Sequence, residues 1–319
     1  MPGRRFPAAL LGGVMLMCFS AGVAAPAGLA APAGVAPPSE IALTFDDLPA
    51  HGPLPPQVSR ADVARAIVLA LKHAHAPPVY GFVNAIALTR DPSAEQALAI
   101  WRKSGNLLGN HTYSHADPNV LSAEAFEADV TADEPILKKY MTGKDWHWLR
   151  LPYLRGGNTP AKRAAIRDFL VKNDYRLADE TVYFNDYDYN APYVRCLAKN
   201  DAAGLQWLKQ HYLQAAARTV DTSRSEAKRL FGRDIKHVFL LHIGVFDAKM
   251  LPEVLAMLTA KNFKLIDLPE AESDPAYAAY GEIRDEWGGT LLARAMAATG
   301  NWFSAPPENT GPALDKLCR

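Results

Sequence analysis

Ile41-Ala42-Leu43-Thr44-Phe45-Asp46-Asp47 is a short apolar run that ends on two adjacent carboxylates. Runs of this length, bounded by polar residues, suit a buried strand. Six more follow: 79–83, 106–109, 146–149, 175–178, 237–241 and 263–268. Amphipathic stretches separate them, at 60–75, 92–103, 122–140, 160–172, 202–231 and 252–261. Ser122 suits an N-cap, and Pro160 and Pro252 suit first-turn helix positions. Strand alternating with helix is the pattern of a parallel sheet. Seven repeats in roughly 230 residues predict a closed or nearly closed α/β barrel. An open doubly wound sheet is the alternative, but no G-x-G-x-x-G follows the first run.

Composition narrows the class further. The 319 residues are 49% hydrophobic and 21% charged, enough apolar material for a sizeable core. Lys plus Arg and Asp plus Glu are both 34, so the formal charge is zero. That balance argues against a nucleic-acid binder built on a broad basic surface. Self-similar repeats are absent, and no internal run is apolar and long enough to span a bilayer.

The N-terminus reads differently. Arg4 and Arg5 precede an apolar stretch from Phe6 to Val23, followed by the small residues Ala24 and Ala25. This is the secretory signal pattern, with cleavage expected after Ala24 or as late as Ala30. An uncleaved anchor is the alternative. Removing residues 1–24 takes two arginines and no acid, so the mature chain carries a formal charge of −2. Residues 25–38 form an Ala/Pro-rich spacer, 39–270 the barrel, and 271–319 a C-terminal extension holding Trp287, Trp302 and Phe303. Export places the remaining cysteines, Cys196 and Cys318, in an oxidising compartment, where they either bond or stay two separate thiols. The expected location is periplasmic or extracellular, with no stable membrane insertion after cleavage.

In an α/β barrel, working residues collect at the C-terminal ends of strands. The first run ends in Asp46-Asp47, the third leads into His111 and His115, the fourth ends in Arg150-Leu151-Pro152-Tyr153, and the sixth in His242. His111 and His115 have i, i+4 spacing, which on a helical turn puts both imidazoles on one face. Two adjacent acids after a buried strand repel each other and lose water, and a cation nearby removes much of that cost. One carboxylate with two imidazoles leaves an open position on zinc or another divalent ion, the catalytic pattern rather than the closed structural one. The second carboxylate beside it suits a general base.

These segments resemble the NodB-homology polysaccharide deacetylases, carbohydrate esterase family four. The likeness runs from about Glu40 to Leu268. The first motif is Thr44-Phe45-Asp46-Asp47, the second His111-Thr112-Tyr113-Ser114-His115, the third Arg150-Leu151-Pro152-Tyr153. The fourth, D-x-x-D-W, is approximate as Asn185-Asp186-Tyr187-Asp188-Tyr189, and the fifth is Leu240-Leu241-His242. The resemblance implies a distorted (β/α)7 barrel as a single catalytic domain. It implies that Asp47, His111 and His115 bind one divalent metal ion, zinc foremost, with cobalt or nickel as other candidates. Asp46 would be the base, Tyr153 an oxyanion donor through its backbone N–H, and His242 the acid. Arg150 would orient Asp46, and Asp188 would pair with Arg150 or tune His242. Tyr189 stands where the family has a tryptophan that shapes the acetyl pocket, so that pocket differs here.

The expected activity is hydrolytic removal of acetyl groups from a carbohydrate polymer or oligomer, an N-acetylated amino sugar before an O-acetyl ester. An amidohydrolase of the same fold acting on a small amide, and a carbohydrate-binding protein with a vestigial site, are the alternatives. Other residues get blander readings: His51 as a solvated loop histidine, His73 and His75 as surface, and residues 202–231 as an insertion. Asn84 closes the second run within reach of the barrel mouth.

Overall fold

A computed structural model describes residues 37–49, 51–280, 288–300 and 311–319. The expectations for the signal segment 1–24, for most of the spacer, and for Trp287, Trp302 and Phe303 lie outside these residues. Seven strands form one parallel sheet: β1 (Ser39–Leu48), β2 (Tyr80–Val83), β3 (Leu107–Asn110), β4 (Trp148–Leu149), β5 (Arg176–Leu177), β6 (His237–His242) and β7 (Phe263–Ile266). Each falls on one of the seven apolar runs. The order is β5-β4-β3-β2-β1-β6, with β7 also paired to β1.

β1 is the centre of the sheet. Ile41 pairs with both His237 of β6 and Leu265 of β7, and Thr44 pairs with both Leu240 of β6 and Tyr80 of β2. β7 and β2 therefore share one edge of β1, at its start and its end, while β6 takes the other. Past β5, Val182 bridges to Phe239 of β6. The fifth strand thus touches β4 with its first half and reaches β6 with its continuation, which curls the sheet into a distorted (β/α) barrel. Ile41, Ala42, Leu43 and Phe45 are essentially inaccessible, as a strand covered on both faces requires.

Helices surround the sheet: α1 (Arg60–His73), α2 (Ile86–Arg90), α3 (Glu95–Lys103), α4 (Ala123–Tyr140), α5 (Pro160–Lys172), α6 (Asn190–Ala198), α7 (Ala202–Phe231), α8 (Val245–Ala260), α9 (Leu268–Glu272), α10 (Pro275–Tyr280), α11 (Leu291–Thr299) and α12 (Gly311–Lys316). Ser122 and Thr159 cap α4 and α5, accepting from the N–H groups of Ala125 and Lys162. Pro252 does not open a helix: α8 begins at Val245, after Gly244, and Pro252 lies inside it. The apolar periodicity there runs back through Phe246, Met250 and Leu251, all buried, and outweighs the proline signal. Among the described residues, no helix is long and apolar enough to cross a membrane.

Residues 202–231, an amphipathic stretch in the sequence, form one continuous helix, α7. Leu208, Tyr212, Ala216, Val220 and Ala227 recur at intervals of four and then seven positions and are buried along one stripe that joins the core. Cys196 of α6 is bonded to Cys318, closing a loop across 122 residues. Cross-linking a loop of that length is credited with roughly 4–5 kcal/mol in chain-entropy models. Gly204, in the first turn of α7, makes room for it: a Cβ there would lie 2.7 Å from Cys318 Sγ and 2.9 Å from Cys196 Sγ.

Gly109 of β3 is as tightly enclosed, since its Cβ would stand 2.6 Å from Phe82 Cε1 and 2.8 Å from the Trp148 carbonyl oxygen. Because one neighbour is backbone, the strand itself must shift. Gly109→Ala should lower stability by about 1–3 kcal/mol, read as a lower urea midpoint at unchanged slope. An unchanged midpoint would show that β3 has slack where close packing is claimed.

Candidate active site

The site begins with an irregularity in β1. Its pairing with β2 runs Thr44 to Tyr80 and Phe45 to Gly81, then skips to Leu48 with Val83, so one extra residue is accommodated at Asp46-Asp47. Asp47 takes a left-handed backbone, φ 67°. Neighbouring side chains on a regular strand point to opposite faces; a bulge of this kind re-aims one of them. Both carboxylates consequently reach His111. Its Nε2 is 3.7 Å from Asp46 Oδ2 and 3.6 Å from Asp47 Oδ1.

His111 follows β3 directly and donates from Nδ1 to the Arg150 carbonyl (2.8 Å), which leaves Nε2 as the free acceptor. His115 Nε2 is 3.7 Å from the same Asp47 Oδ1, and the two imidazole centroids are 4.8 Å apart. The segment between them is not the expected helical turn. Thr112 and His115 have φ near +60° (61° and 57°), which a right-handed helix excludes. The loop is held instead by side chains: Asn84 donates to the carbonyls of His111 and Thr112, Asn110 accepts from the Thr112 N–H, and Asp129 accepts from Ser114. Asn84 therefore serves the mouth from beneath rather than lining it.

Donor atoms of Asp47, His111 and His115 all lie within 4.8 Å of one another. Their protonation suits a cation. Burial opposes charge on Asp47, but the His51 hydrogen bond and the charges of His242, His111 and His115 outweigh it and hold the carboxyl well below its usual range. Burial and the neighbouring His111 push His115 down to about 4, against the pull of Asp47 and Asp46, so its lone pair is available at neutral pH. Two imidazoles, each with Nε2 toward Asp47, and one carboxylate are a donor set that fits zinc or a similar divalent ion.

Asp46 is held from the other side. Arg150, at 1% exposure, places Nη1 3.4 Å from both Asp46 oxygens, Nη2 on Thr44 Oγ1 (3.1 Å) and Nε on the Ala178 carbonyl (2.6 Å). Glu180 Oε2 lies 3.6 Å from the same Nε. Burial pushes Glu180 up to about 8, with Arg150 countering in part.

His242 ends β6, where Asp46 pairs with it in register. Its partner is Asp186, whose Oδ1 lies 2.8 Å from Nδ1 and whose Oδ2 accepts the His242 backbone N–H (2.7 Å). Asp188, expected to pair with Arg150 or tune His242, is half-buried, raised first by burial, and interacts electrostatically with His242 without taking the hydrogen bond that Asp186 makes. Behind Asp186 lies Asp247, raised well above the carboxylate range by burial first and the Asp186 charge next, and accepting from Tyr212 (2.8 Å). Tyr189 is buried, stacked on Phe246, so it does not replace the family tryptophan at the cleft; Tyr187 lies against His242 instead, at 5.0 Å between ring centroids.

Tyr153 stands at the rim, 56% exposed, with φ 57° and its ring 4.8 Å from that of His115. The local turn uses the N–H groups of Leu154 and Arg155, leaving that of Tyr153 outside it. His51 is not a solvated loop residue: Nδ1 lies 3.0 Å from Asp47 Oδ2. The sequence pattern also passed over Asp186, which lies inside the approximate fourth motif, and Glu180, which no motif marks. Asp186 was obscured because the D-x-x-D spacing drew attention to Asp188.

Fold and site together define a parallel α/β barrel with an acid-histidine cleft at the strand ends. Residues 33–169 match the polysaccharide deacetylase family. A chitin deacetylase of Arthroderma benhamiae is 27% identical over 111 residues, 35% of this chain and 28% of that protein, so the chain matches little more than a quarter of that relative. The structure of the chitin deacetylase from Colletotrichum lindemuthianum aligns with a TM-score of 0.52 at 22% identity, covering 75% of this chain and 89% of that one. A CE4 family pseudoenzyme from Bacillus anthracis aligns at 0.48 and 14% identity, over 73% and 65% of the two chains. Residues 33–169 thus carry the likeness to the polysaccharide deacetylases, and the barrel shares its fold with the Colletotrichum enzyme.

The His242–Asp186 pair has a consequence for stability. Burial disfavours the imidazolium, but the Asp186 charge and hydrogen bond, with Asp47 and Asp46, raise its pKa from 6.5 to about 10. A raised folded-state value stabilises fully below the unfolded pKa and is lost as pH climbs through the folded one. Chelator-treated protein should therefore lose unfolding free energy between pH 6.5 and about 10. Asp186→Asn should flatten that decline in urea titrations. An equally steep decline in the variant would detach the shift from Asp186.

Proposed function

We propose that the chain is an exported, divalent-metal-dependent deacetylase that removes acetyl groups from an N-acetylated amino sugar polymer or oligomer. The observation that carries this reading is the convergence at one cleft of a three-donor cluster, a separate carboxylate on an arginine, and a histidine on a buried aspartate. Asp47, His111 and His115 would hold the ion. When bound, such an ion supplies Lewis acidity toward an acyl oxygen and lowers the pKa of water.

The chain's own groups supply the rest. Asp46, outside the three-donor cluster, takes the proton of the attacking water, and Arg150 fixes its orientation. The Tyr153 N–H donates to the oxygen on which charge develops. His242 delivers a proton to the departing nitrogen or oxygen, and Asp186 keeps that imidazole charged until then. The carboxylate must be ionised while the imidazole is protonated, so a bell-shaped pH profile is expected.

Zinc is the favoured ion, on the strength of its liking for mixed imidazole and carboxylate donors. Export is supported by the basic, apolar and small-residue order of the N-terminus and by the Cys196–Cys318 bond, which persists in oxidising compartments. A polymer outside the cytoplasm is the substrate class consistent with that location. The names of the fungal relatives favour a chitin-type chain within it.

The test is acetate release from chitin oligomers, peptidoglycan and acetylated xylan, with and without chelator, alongside metal content by mass spectrometry. Release from an N-acetylated chain that chelation abolishes is the expected result. Glycan binding with neither metal nor turnover would indicate a binding protein with a vestigial site, and turnover only of small amides would indicate an amidohydrolase. Asp46→Asn should keep its metal and lose about 10²–10⁴-fold in kcat. His111→Ala should lose metal affinity first. Full activity in Asp46→Asn would remove the base from the scheme.

A further inference from the structure

The two oxygens of Asp47 are used differently. Oδ1 faces both imidazoles, 3.6 Å from His111 Nε2 and 3.7 Å from His115 Nε2. Oδ2 points the other way and meets His51 Nδ1 at 3.0 Å. His51 lies only four residues beyond Asp47, yet the contact is not a chance of proximity in a free loop. Arg60 of α1 donates to the carbonyls of His51 (2.7 Å) and Gly52 (2.5 Å). Asn190 of α6 donates to the carbonyl of Pro53 (2.9 Å). Gly52 is left-handed (φ 61°), and a Cβ there would collide with the Asn190 amide. Two helices from distant parts of the chain thus clamp three consecutive carbonyls, and the clamp fixes where the imidazole stands. The ring is 19% exposed, with the rings of His242 and Tyr187 at 5.4 Å and 6.1 Å between centroids.

We propose that His51 is a positioning residue of the metal centre: its Nδ1–H is donated to Asp47 Oδ2, so that the carboxylate presents Oδ1 alone to the ion. The inference rests on the reading of Asp47, His111 and His115 as metal donors. A carboxylate with one oxygen occupied cannot swing to chelate with both, and one with neither oxygen held loses rotational freedom on binding. Partners of this outer kind typically change metal affinity 10–100-fold. His111 has the matching arrangement on its own ring, with Nδ1 tied to the Arg150 carbonyl. The cluster is then oriented before any ion arrives, with His51 doing for the carboxylate what a main-chain carbonyl does for the imidazole.

The experiment is Zn²⁺ affinity, measured by competition with a chromophoric chelator on the full chain, for the wild type, His51→Ala, His51→Asn and His51→Gln. His51→Ala should bind 10–100-fold more weakly, with the unfolding midpoint of the metal-free protein little changed. His51→Asn, whose amide nitrogen can stand close to the position of Nδ1, should recover most of the loss. His51→Gln, one carbon longer, should not. If His51→Ala fails to fold, the Asn and Gln variants decide between them. Wild-type affinity in His51→Ala overturns the proposal, as does an Asn variant no better than Gln. Failure of the wild type itself to bind a divalent ion instead overturns the metal-centre reading beneath it.

Discussion

Two carboxylates that a regular strand would send to opposite faces are turned to the same side by one extra residue and a left-handed Asp47. Much of the surrounding architecture answers the electrostatic problem this creates. Like charges this close, with Asp46 nearly inaccessible, need counter-charge from groups that β1 cannot itself provide. They come from the ends of neighbouring strands: His111 after β3, Arg150 after β4, His242 at the end of β6. The order of strands around β1 is therefore what makes the pair of acids tolerable. The central position of β1, bonded on both edges, holds the pair in place.

Backbone strain concentrates at the same spot. Asp47, Thr112, His115, Tyr153 and Leu154 all adopt positive φ without being glycine. Residues held in such regions cost on the order of 1–3 kcal/mol each and persist only where their surroundings dictate them. Those surroundings are visible for the histidine loop, where Asn84, Asn110 and Asp129 satisfy its backbone and side-chain groups from three separate elements. Because that loop departs from helical geometry, the imidazoles approach each other by a path that i, i+4 spacing does not describe.

The strands were readable in the sequence because each is a short apolar run between polar bounds, and a parallel buried sheet leaves little else for such runs to do. Pro252 misled, since a proline tolerated inside α8 looks identical in sequence to one that opens a helix. Residues 202–231 showed their amphipathic pattern in the sequence, but not that the apolar stripe of α7 joins the main core. Within the cleft, residues set by motif spacing were found together, whereas those set by a fold-back were not. His51 approaches Asp47 because α1 and α6 pin its loop, and Asp186 approaches His242 from an irregular turn; neither relation has a sequence period to betray it.

The cleft divides along the chain. Asp46, Asp47, His111, His115, Arg150 and Tyr153 all fall within residues 33–169, the stretch that matches the family. His242 and the carboxylate hydrogen-bonded to it lie beyond: Asp186 on its turn, with Asp247 on α8 and Tyr212 on α7 behind it. The wall that carries these groups is joined by the Cys196–Cys318 bond, and the helix next to that bond spares space for it with Gly204. On the proposed reading, the groups that would hold an ion and the base both lie in the first half of the barrel. The environment of His242, the proposed proton donor, is set largely by the other half, where Tyr189 turns inward and Tyr187 takes the place beside His242. On that reading, differences in which leaving group the cleft accepts should therefore be written after residue 169, in the residues around His242, rather than in the motifs within the stretch that matches the family model.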